Sequence, residues 1–303
     1  KWHLGHKHPF LPTDQGFDYY FGIPFSNDLR IDYRMPYAWD IRLREGMTLK
    51  RMTTRGHKVD DWVPLMEGDL VVEYPCDQAT LTQRYTQRCL SFIDRNRDRP
   101  FFFYFAHASP HVPLHASSKY LGSSRRGLYG DVVEELDDSV GQILKHLRET
   151  GLDKRTLVIF TSDNGPWATK KERGGSAGLL RGAKVMTYEG GVRVPAIFWW
   201  PGRVKPGTTV RDIGSTLDLM ATFVHLANAS LPTGRPLDSL DISGALLEGQ
   251  PSPRQSMVYY RGDEIYAIRR GDLKAEFITE GWLGIDGARE VHPTPLLYNL
   301  KED

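Results

Sequence analysis

Three uninterrupted apolar runs constrain this chain most: FFFYFAH at 101–107, TLVIFTS at 156–162 and PAIFWW at 195–200. A strand with one wet face alternates apolar and polar residues, so runs without that alternation call for cover on both faces. Helical periodicity supplies the cover just upstream of the first two. Leu81, Tyr85, Cys89, Phe92 and Ile93 recur every three or four residues between 80 and 98, and Arg99-Pro100 ends the pattern. Val132, Val133, Leu136, Val140, Ile143, Leu144 and Leu147 do the same between 131 and 149, with Gly151 as the stop. Helix before buried strand, twice over, predicts an α/β fold: a mostly parallel sheet flanked by helices.

A further helix is expected around 215–229, and beyond Leu231 the text turns to Pro-rich linkers and short strands such as MVYYRG, EIYAIRRG and LKAEFIT. Those strands predict a small antiparallel C-terminal subdomain. The expected organisation is therefore a main α/β domain over 1–232 and the subdomain over 233–303. Residues 1–78, rich in Gly, Pro, Tyr and Asp and without a sustained period, read as loops and short strands laid over a site.

Composition narrows the partners. Lys plus Arg (39) nearly cancels Asp plus Glu (38), so no overall field steers the protein to nucleic acid or an acidic membrane, and anion binding must be local. No run approaches the roughly 18 apolar residues of a membrane span. Two cysteines, Cys76 and Cys89, make no disulfide framework, although one bridge or two free thiols would both be consistent. The chain opens on KWHLG without methionine or leader, which reads as a first segment lying before Lys1. An Asn-Ala-Ser tripeptide at Asn228 fits a glycan acceptor in a eukaryotic secreted protein.

In open α/β sheets ligands gather beyond the carboxyl ends of strands, and HASPH (107–111) and TSDNG (161–165) stand where a buried run gives out. Asp163 and Asn164 offer adjacent hard oxygen donors of the kind Ca²⁺ or Mg²⁺ takes, although Asp, Asn and Gly are also ordinary turn residues. On an extended segment Lys1 and His3 would share one face while Trp2 takes the other. His6 and His8 could join His3 around zinc, but no Cys or Asp with suitable spacing accompanies them. His111, further past the run than His107, is the better candidate to reach a ligand, and His107 is expected to bond loop backbone. Lys184 adds a compact positive charge ahead of the turn-prone TYEGG. Two lysines, a histidine and a hard divalent cation would together hold a tetrahedral oxyanion.

KWHLGH, HASPHVPL, FTSDNGPW and the run from RGAK through TYEGGVRVPAIFWWPG resemble the type I sulfatases, most of all the arylsulfatase A and N-acetylgalactosamine-6-sulfatase group. The likeness extends over nearly the whole chain, since GFDYYFGIPFSND, RRGLYGDVVEELDDSVG and SPRQSMVYYRGD follow in the family's order. It implies an alkaline-phosphatase-like fold and hydrolysis of an aryl or carbohydrate sulfate ester. By motif, Lys1 would bind substrate sulfate, His3 would manage protons around the nucleophile and Ser26 would touch substrate. His111 and Lys184 would bind sulfate oxygens, one of them giving the leaving group its proton, and Asp163 with Asn164 would hold Ca²⁺, with Mg²⁺ as the alternative.

The resemblance also implies a formylglycine, made from the cysteine of a C-x-P-x-R signature by a formylglycine-generating enzyme, and two consecutive acidic metal ligands. Both belong upstream of KWHLG in the family. Cys76 in PCDQA and Cys89 in RCLSF do not match the signature, so the nucleophile is expected before Lys1 and the chain by itself is expected not to turn over. A lysosomal, secreted or periplasmic setting follows from the same likeness. A phosphodiesterase or phosphatase of the same superfamily, with further Asp and His ligands for a second metal, is the rival enzyme. A non-catalytic module that binds sulfated glycans is the rival without chemistry. Oligomeric state is not readable.

Overall fold

The computed structural model describes residues 1–29, 42–48 and 63–302. Packing divides the chain into two compact units, Lys1–Leu152 with Glu172–Gly174, and Asp153–Lys171 with Gly175–Asp303. The expected boundary at 232/233 falls inside the second. Among the described residues no helix is long and apolar enough to cross a membrane. Part of the stretch expected to lie over a site, 30–41 and 49–62, is outside the described residues.

In the first unit, β1 (Phe21–Gly22), β2 (Arg42–Leu43), β3 (Leu65–Glu67) and β4 (Leu70–Glu73) form a sheet in the order β1-β3-β4-β2. β2 runs parallel to β4, and the other pairs are antiparallel. Helix α1 (Leu81–Asn96) buries Leu81, Tyr85, Cys89 and Ile93, one residue per turn, as the spacing predicts. Leu81 and Tyr85 join Ile23, Val63, Leu65, Cys76 and Ala108 in one core. From Ile23 and Ala108, anchored there, the chain leaves the core toward Ser26 and toward His111.

Helix α2 (Gly127–Glu149) starts ahead of its predicted first residue and buries Val132 and Leu147 of the predicted face together with polar residues. Asp131, Glu135 and Ser139 are sealed while Val133 is exposed. Partners explain the polar members, since a buried polar group is tolerated when its hydrogen bonds are made. Ser139 Oγ shares a 2.6 Å hydrogen bond with Thr86 Oγ1 of α1. Asp131 accepts from the N–H groups of Gly122 and Ser124, and Glu135 accepts from that of Ser117. The carboxylates of α2 thus tie down the loop that comes after His111.

The FFFYFAH run joins no ladder among the described residues, which corrects the buried strand expected there. It is extended with one packed face. Phe101 and Phe103 lie 5.8 and 5.0 Å from the Phe92 ring of α1, and Phe105 stacks on Phe103 at 5.7 Å. Phe102 and Tyr104, on the other face, are 59% and 57% exposed. An all-aromatic run hides its period from composition, because both faces carry the same kind of residue.

In the second unit β5 (Val158–Thr161) pairs antiparallel with β6 (Ala196–Trp199), so the mostly parallel sheet expected is met as a mixed set of ladders. Helices α3 (Glu189–Val192), α4 (Asp218–Leu226) and α5 (Ser243–Leu247) come next in chain order. The C-terminal strands β7 (Ser256–Arg261), β8 (Glu264–Arg270), β9 (Leu273–Thr279) and β10 (Glu290–Asn299) form the antiparallel sheet predicted, in the order β10-β9-β8-β7. β10 escapes the sequence pattern, because Pro293 and Pro295 break it. Its register jumps between Val291 and Leu296, and it lies at the sheet edge, where a missing N–H is tolerated.

Candidate active site

Four of the seven residues singled out in the sequence lie in the first unit: Lys1, His3, Ser26 and His111. The Trp2 and His3 N–H groups donate to the carbonyls of Ile23 and Pro24 at 3.1 and 3.0 Å, which lays the first residues along the segment leading to Ser26. Trp2 packs edge-on against Phe17 and donates its indole N–H to Phe10 O, as its apolar role predicts. The extended run ends at His3, whose φ is 62°, so alternation alone does not set the faces of Lys1 and His3. Those backbone bonds place them.

Ser26 and His111 come together. The hydroxyl of Ser26, a buried residue, is 3.5 Å from His111 Nδ1. The same nitrogen is 2.7 Å from Val112 O and 3.2 Å from Asn27 Oδ1. Two of these three oxygens can only accept, so Nδ1 carries the proton and the ring's lone pair or second proton falls to Nε2. Asn27, 2% exposed, holds the arrangement. Its amide nitrogen reaches the carbonyls of His111 and Pro113 at 3.3 and 3.0 Å and Gln78 Oε1 at 3.1 Å, while Gln78 Nε2 donates back to Asn27 O. Sequence reading passes over Asn27 and Gln78; the only signal is a polar pair, Ser-Asn, in an apolar turn.

His107 departs from expectation. It bonds no loop backbone: both ring nitrogens are buried without a hydrogen-bond partner, and burial pushes its pKa down to about 3. The reason is its neighbours, since Phe105 and Tyr85 face it with rings at 4.4 and 6.4 Å. Cys76 and Cys89 are free, buried thiols, each pushed up to about 12 by burial, which agrees with a structural reading of both.

Asp163, Asn164 and Lys184 lie in the second unit, on two loops that interlock. β5 runs out at Thr161, and the Gly165 N–H donates to Gly191 O at 2.9 Å while the Lys184 N–H donates to Pro166 O at 2.9 Å. Backbone approaches this close exclude side chains. A Cβ on Gly165 would lie 1.9 Å from Gly190 O, and one on Gly191 would lie 2.2 Å from Met186 O. The glycines of SDNG and EGG therefore bring the Asp-Asn pair and Lys184 into one block. Lys184 Nζ sits 4.9 Å from the centre of the Trp167 ring, itself stacked on Trp282 at 5.5 Å.

The donor chemistry of this block fits a hard cation. Asp163 is exposed. Asn164 turns its amide nitrogen to Gly165 O at 2.8 Å, which leaves its side-chain oxygen as the donor atom. Among the described residues no group of three His, Cys, Asp or Glu could hold a metal, so Asp163 and Asn164 would supply part of a coordination shell of six to eight oxygens.

The chain matches the sulfatase family over residues 1–229 and the C-terminal region of aryl-sulfatase over 252–303. It is 41% identical to N-acetylgalactosamine-6-sulfatase of Canis lupus familiaris over 286 residues, covering 92% of this chain and 51% of that protein. With human arylsulfatase A it is 37% identical over its whole length, covering 62% of that protein. It therefore spans about half to three-fifths of the length of these curated relatives. A solved structure, the PsFucS1 sulfatase from Pseudoalteromonas sp., superposes with a TM-score of 0.81 at 26% identity, over 99% of this chain and 63% of that one.

Proposed function

This chain belongs to the sulfatase family, and we propose that it serves the hydrolysis of aryl or carbohydrate sulfate esters. The observation that carries this reading is the pair of preorganised cation-bearing blocks: His111 held by Ser26 and Asn27, and Lys184 interlocked with the Asp163-Asn164 turn. Sulfate-ester cleavage needs neutralised nonbridging oxygens and a proton for the leaving alkoxide. With Nδ1 committed to its oxygens, His111 would offer Nε2–H to a sulfate oxygen or to the departing group. Lys184 and Lys1 would neutralise charge on the sulfate, and Ser26 would contact substrate. His3 would manage protons beside the nucleophile.

Asp163 and Asn164 would hold Ca²⁺, or Mg²⁺ in its place, which supplies Lewis-acid charge stabilisation when bound. Formylglycine would supply the attacking oxygen from a position before Lys1, installed by a formylglycine-generating enzyme; neither Cys76 nor Cys89 is its source. A lysosomal, secreted or periplasmic setting accords with this maturation.

The experiment is to express the complete gene with a formylglycine-generating enzyme and compare an aryl sulfate with an aryl phosphate. Sulfate is expected to be preferred, and preference for phosphate would reject the assignment in favour of the phosphatase rival. Lys184→Ala and His111→Ala are each expected to lower turnover by about 10²–10³, the loss typical of one oxyanion donor. Asp163→Ala is expected to deplete bound metal, read by elemental analysis after dialysis.

A further inference from the structure

The residue after Lys184 sits in a conformation it should avoid. Val185 has φ of 78°, in the left-handed region where a β-branched side chain is strained. Such a residue persists only when its surroundings over-determine it. On its upstream side the Lys184 N–H is bound to Pro166 O, and the Met186 N–H donates to Ala183 O at 3.0 Å to close the turn. On its downstream side the turn is gripped from β9.

Lys274 is 2% exposed, and its three ammonium protons face three oxygens: Thr187 O, Glu189 Oε1 at 3.1 Å and Glu276 Oε1 at 3.4 Å. The ammonium also lies 4.4 Å from the centre of the Tyr259 ring. Glu276, 1% exposed, accepts from Thr187 Oγ1 at 3.3 Å, and Arg269 stands 3.6 Å from Glu189. Two cations and two carboxylates balance. Both ends of Thr187, its carbonyl and its hydroxyl, are held by neighbouring residues of one strand. A buried ammonium is costly unless it is bonded, and here each proton faces an oxygen.

We infer that Lys274, with Glu276 and Glu189, is a positioning clamp that holds the strained turn and so fixes Lys184. The clamp rests on the sulfatase reading only for what Lys184 does, since its grip on the turn is independent of the chemistry. Lys274→Met keeps the apolar stem and removes the grip. In the protein expressed from its complete gene, this variant is expected to lower kcat on an aryl sulfate by about tenfold or more with KM little changed, because displacing a reacting group by an ångström costs up to about 10²-fold. In a Lys184→Ala background it is expected to add nothing. A residue that only stabilised the fold would give additive losses.

A second readout needs no turnover. Trypsin cleavage of the folded protein after Lys184, followed by mass spectrometry, is expected to speed up about tenfold in Lys274→Met, because cleavage tracks the opened population. Adding Val185→Gly, which accepts the left-handed conformation, is expected to recover part of the lost kcat. Unchanged kcat and unchanged cleavage in Lys274→Met would overturn the inference, as would equal losses with and without Lys184. Should Lys274→Met fail to fold, Glu276→Gln keeps an acceptor for Thr187 and is read the same way, with faster cleavage expected and unchanged cleavage decisive against the clamp. If the wild-type protein hydrolyses no sulfate ester, the functional reading fails while the cleavage comparison still decides this one.

Discussion

Lys274 in the C-terminal sheet and His107 at the end of the aromatic run are both cut off from water, and their surroundings treat them in opposite ways. Around Lys274 stand three oxygens and a ring face, so each ammonium proton has a partner. Around His107 stand rings, neither nitrogen has a partner, and the imidazole is held neutral down to a pKa of about 3. Burial does not decide whether a side chain stays charged; the oxygens within reach do. His111 repeats the lesson over a short stretch of chain. With Val112 O and Asn27 Oδ1 beside its Nδ1, its ring N–H has acceptors that the ring of His107 lacks.

The sharpest way to break this contrast is to remove one partner from the charged region. Glu276→Met leaves Lys274 with Glu189 and Thr187 O but without its second carboxylate, and removing one partner of a buried ion pair costs about 3–5 kcal/mol. Denaturant unfolding at neutral pH is the measurement. A loss below about 1 kcal/mol would mean that the cluster is looser than its distances and that Lys274 does not depend on Glu276.

The polar lattice beneath His111 comes next. Asn27→Ala leaves the carbonyls of His111 and Pro113 and the side chain of Gln78 short of a partner, and unsatisfied buried groups cost about 1–3 kcal/mol each. Relaxation and entering water recover part of that, so about 2–3 kcal/mol is expected in denaturant unfolding. Turnover should fall as well, since the ring would lose one of the oxygens that fix its tautomer. Full activity in Asn27→Ala would show that Ser26 and Val112 suffice to orient His111.

How far these regions can be read from sequence depends on the range of their contacts. Helix α1 is legible because its buried residues repeat once per turn and the signal is local. The motif residues are legible as a family likeness, and the fold and family bear that likeness out. Asn27 is not, because its partners lie 51 to 86 positions away and no periodicity connects them. The polar stripe of α2 misleads for a related reason: Val133 fits an apolar face by type, whereas Asp131 and Glu135 fit the interior only once the N–H groups of Gly122, Ser124 and Ser117 are known to face them. Nor can the sequence announce that the glycines at 165 and 191 are spaces for another backbone, since a glycine in a polar turn reads equally as a bend. Lys274 looks like an exposed residue of an alternating strand. In each case the missing information is a long-range partner.

The smallest expected effect tests the uncharged side of the comparison through pH. An unfolded histidine titrates near 6.5, and His107 in the fold near 3, so between those values the unfolded chain binds the extra proton. Its contribution to stability is therefore undiminished above about pH 6.5 and declines as pH falls toward 3, by about 1.4 kcal/mol per pH unit once well inside that window. His107→Phe removes the titrating group and keeps an aromatic side chain against Phe105 and Tyr85. At pH 7.5 the variant should lie within about 1 kcal/mol of wild type, and at pH 5 it should be more stable by about 1–2 kcal/mol relative to that baseline. Thermal or denaturant unfolding at both pH values measures the difference. A variant whose advantage does not grow on acidification would mean that water or a polar group reaches the ring, and the contrast with Lys274 would then reduce to a difference in degree of burial. Growth of the advantage would establish that the aromatic run tolerates histidine only as a neutral ring, which in an acidic compartment is a standing cost that the charged cluster around Lys274 avoids by being paired.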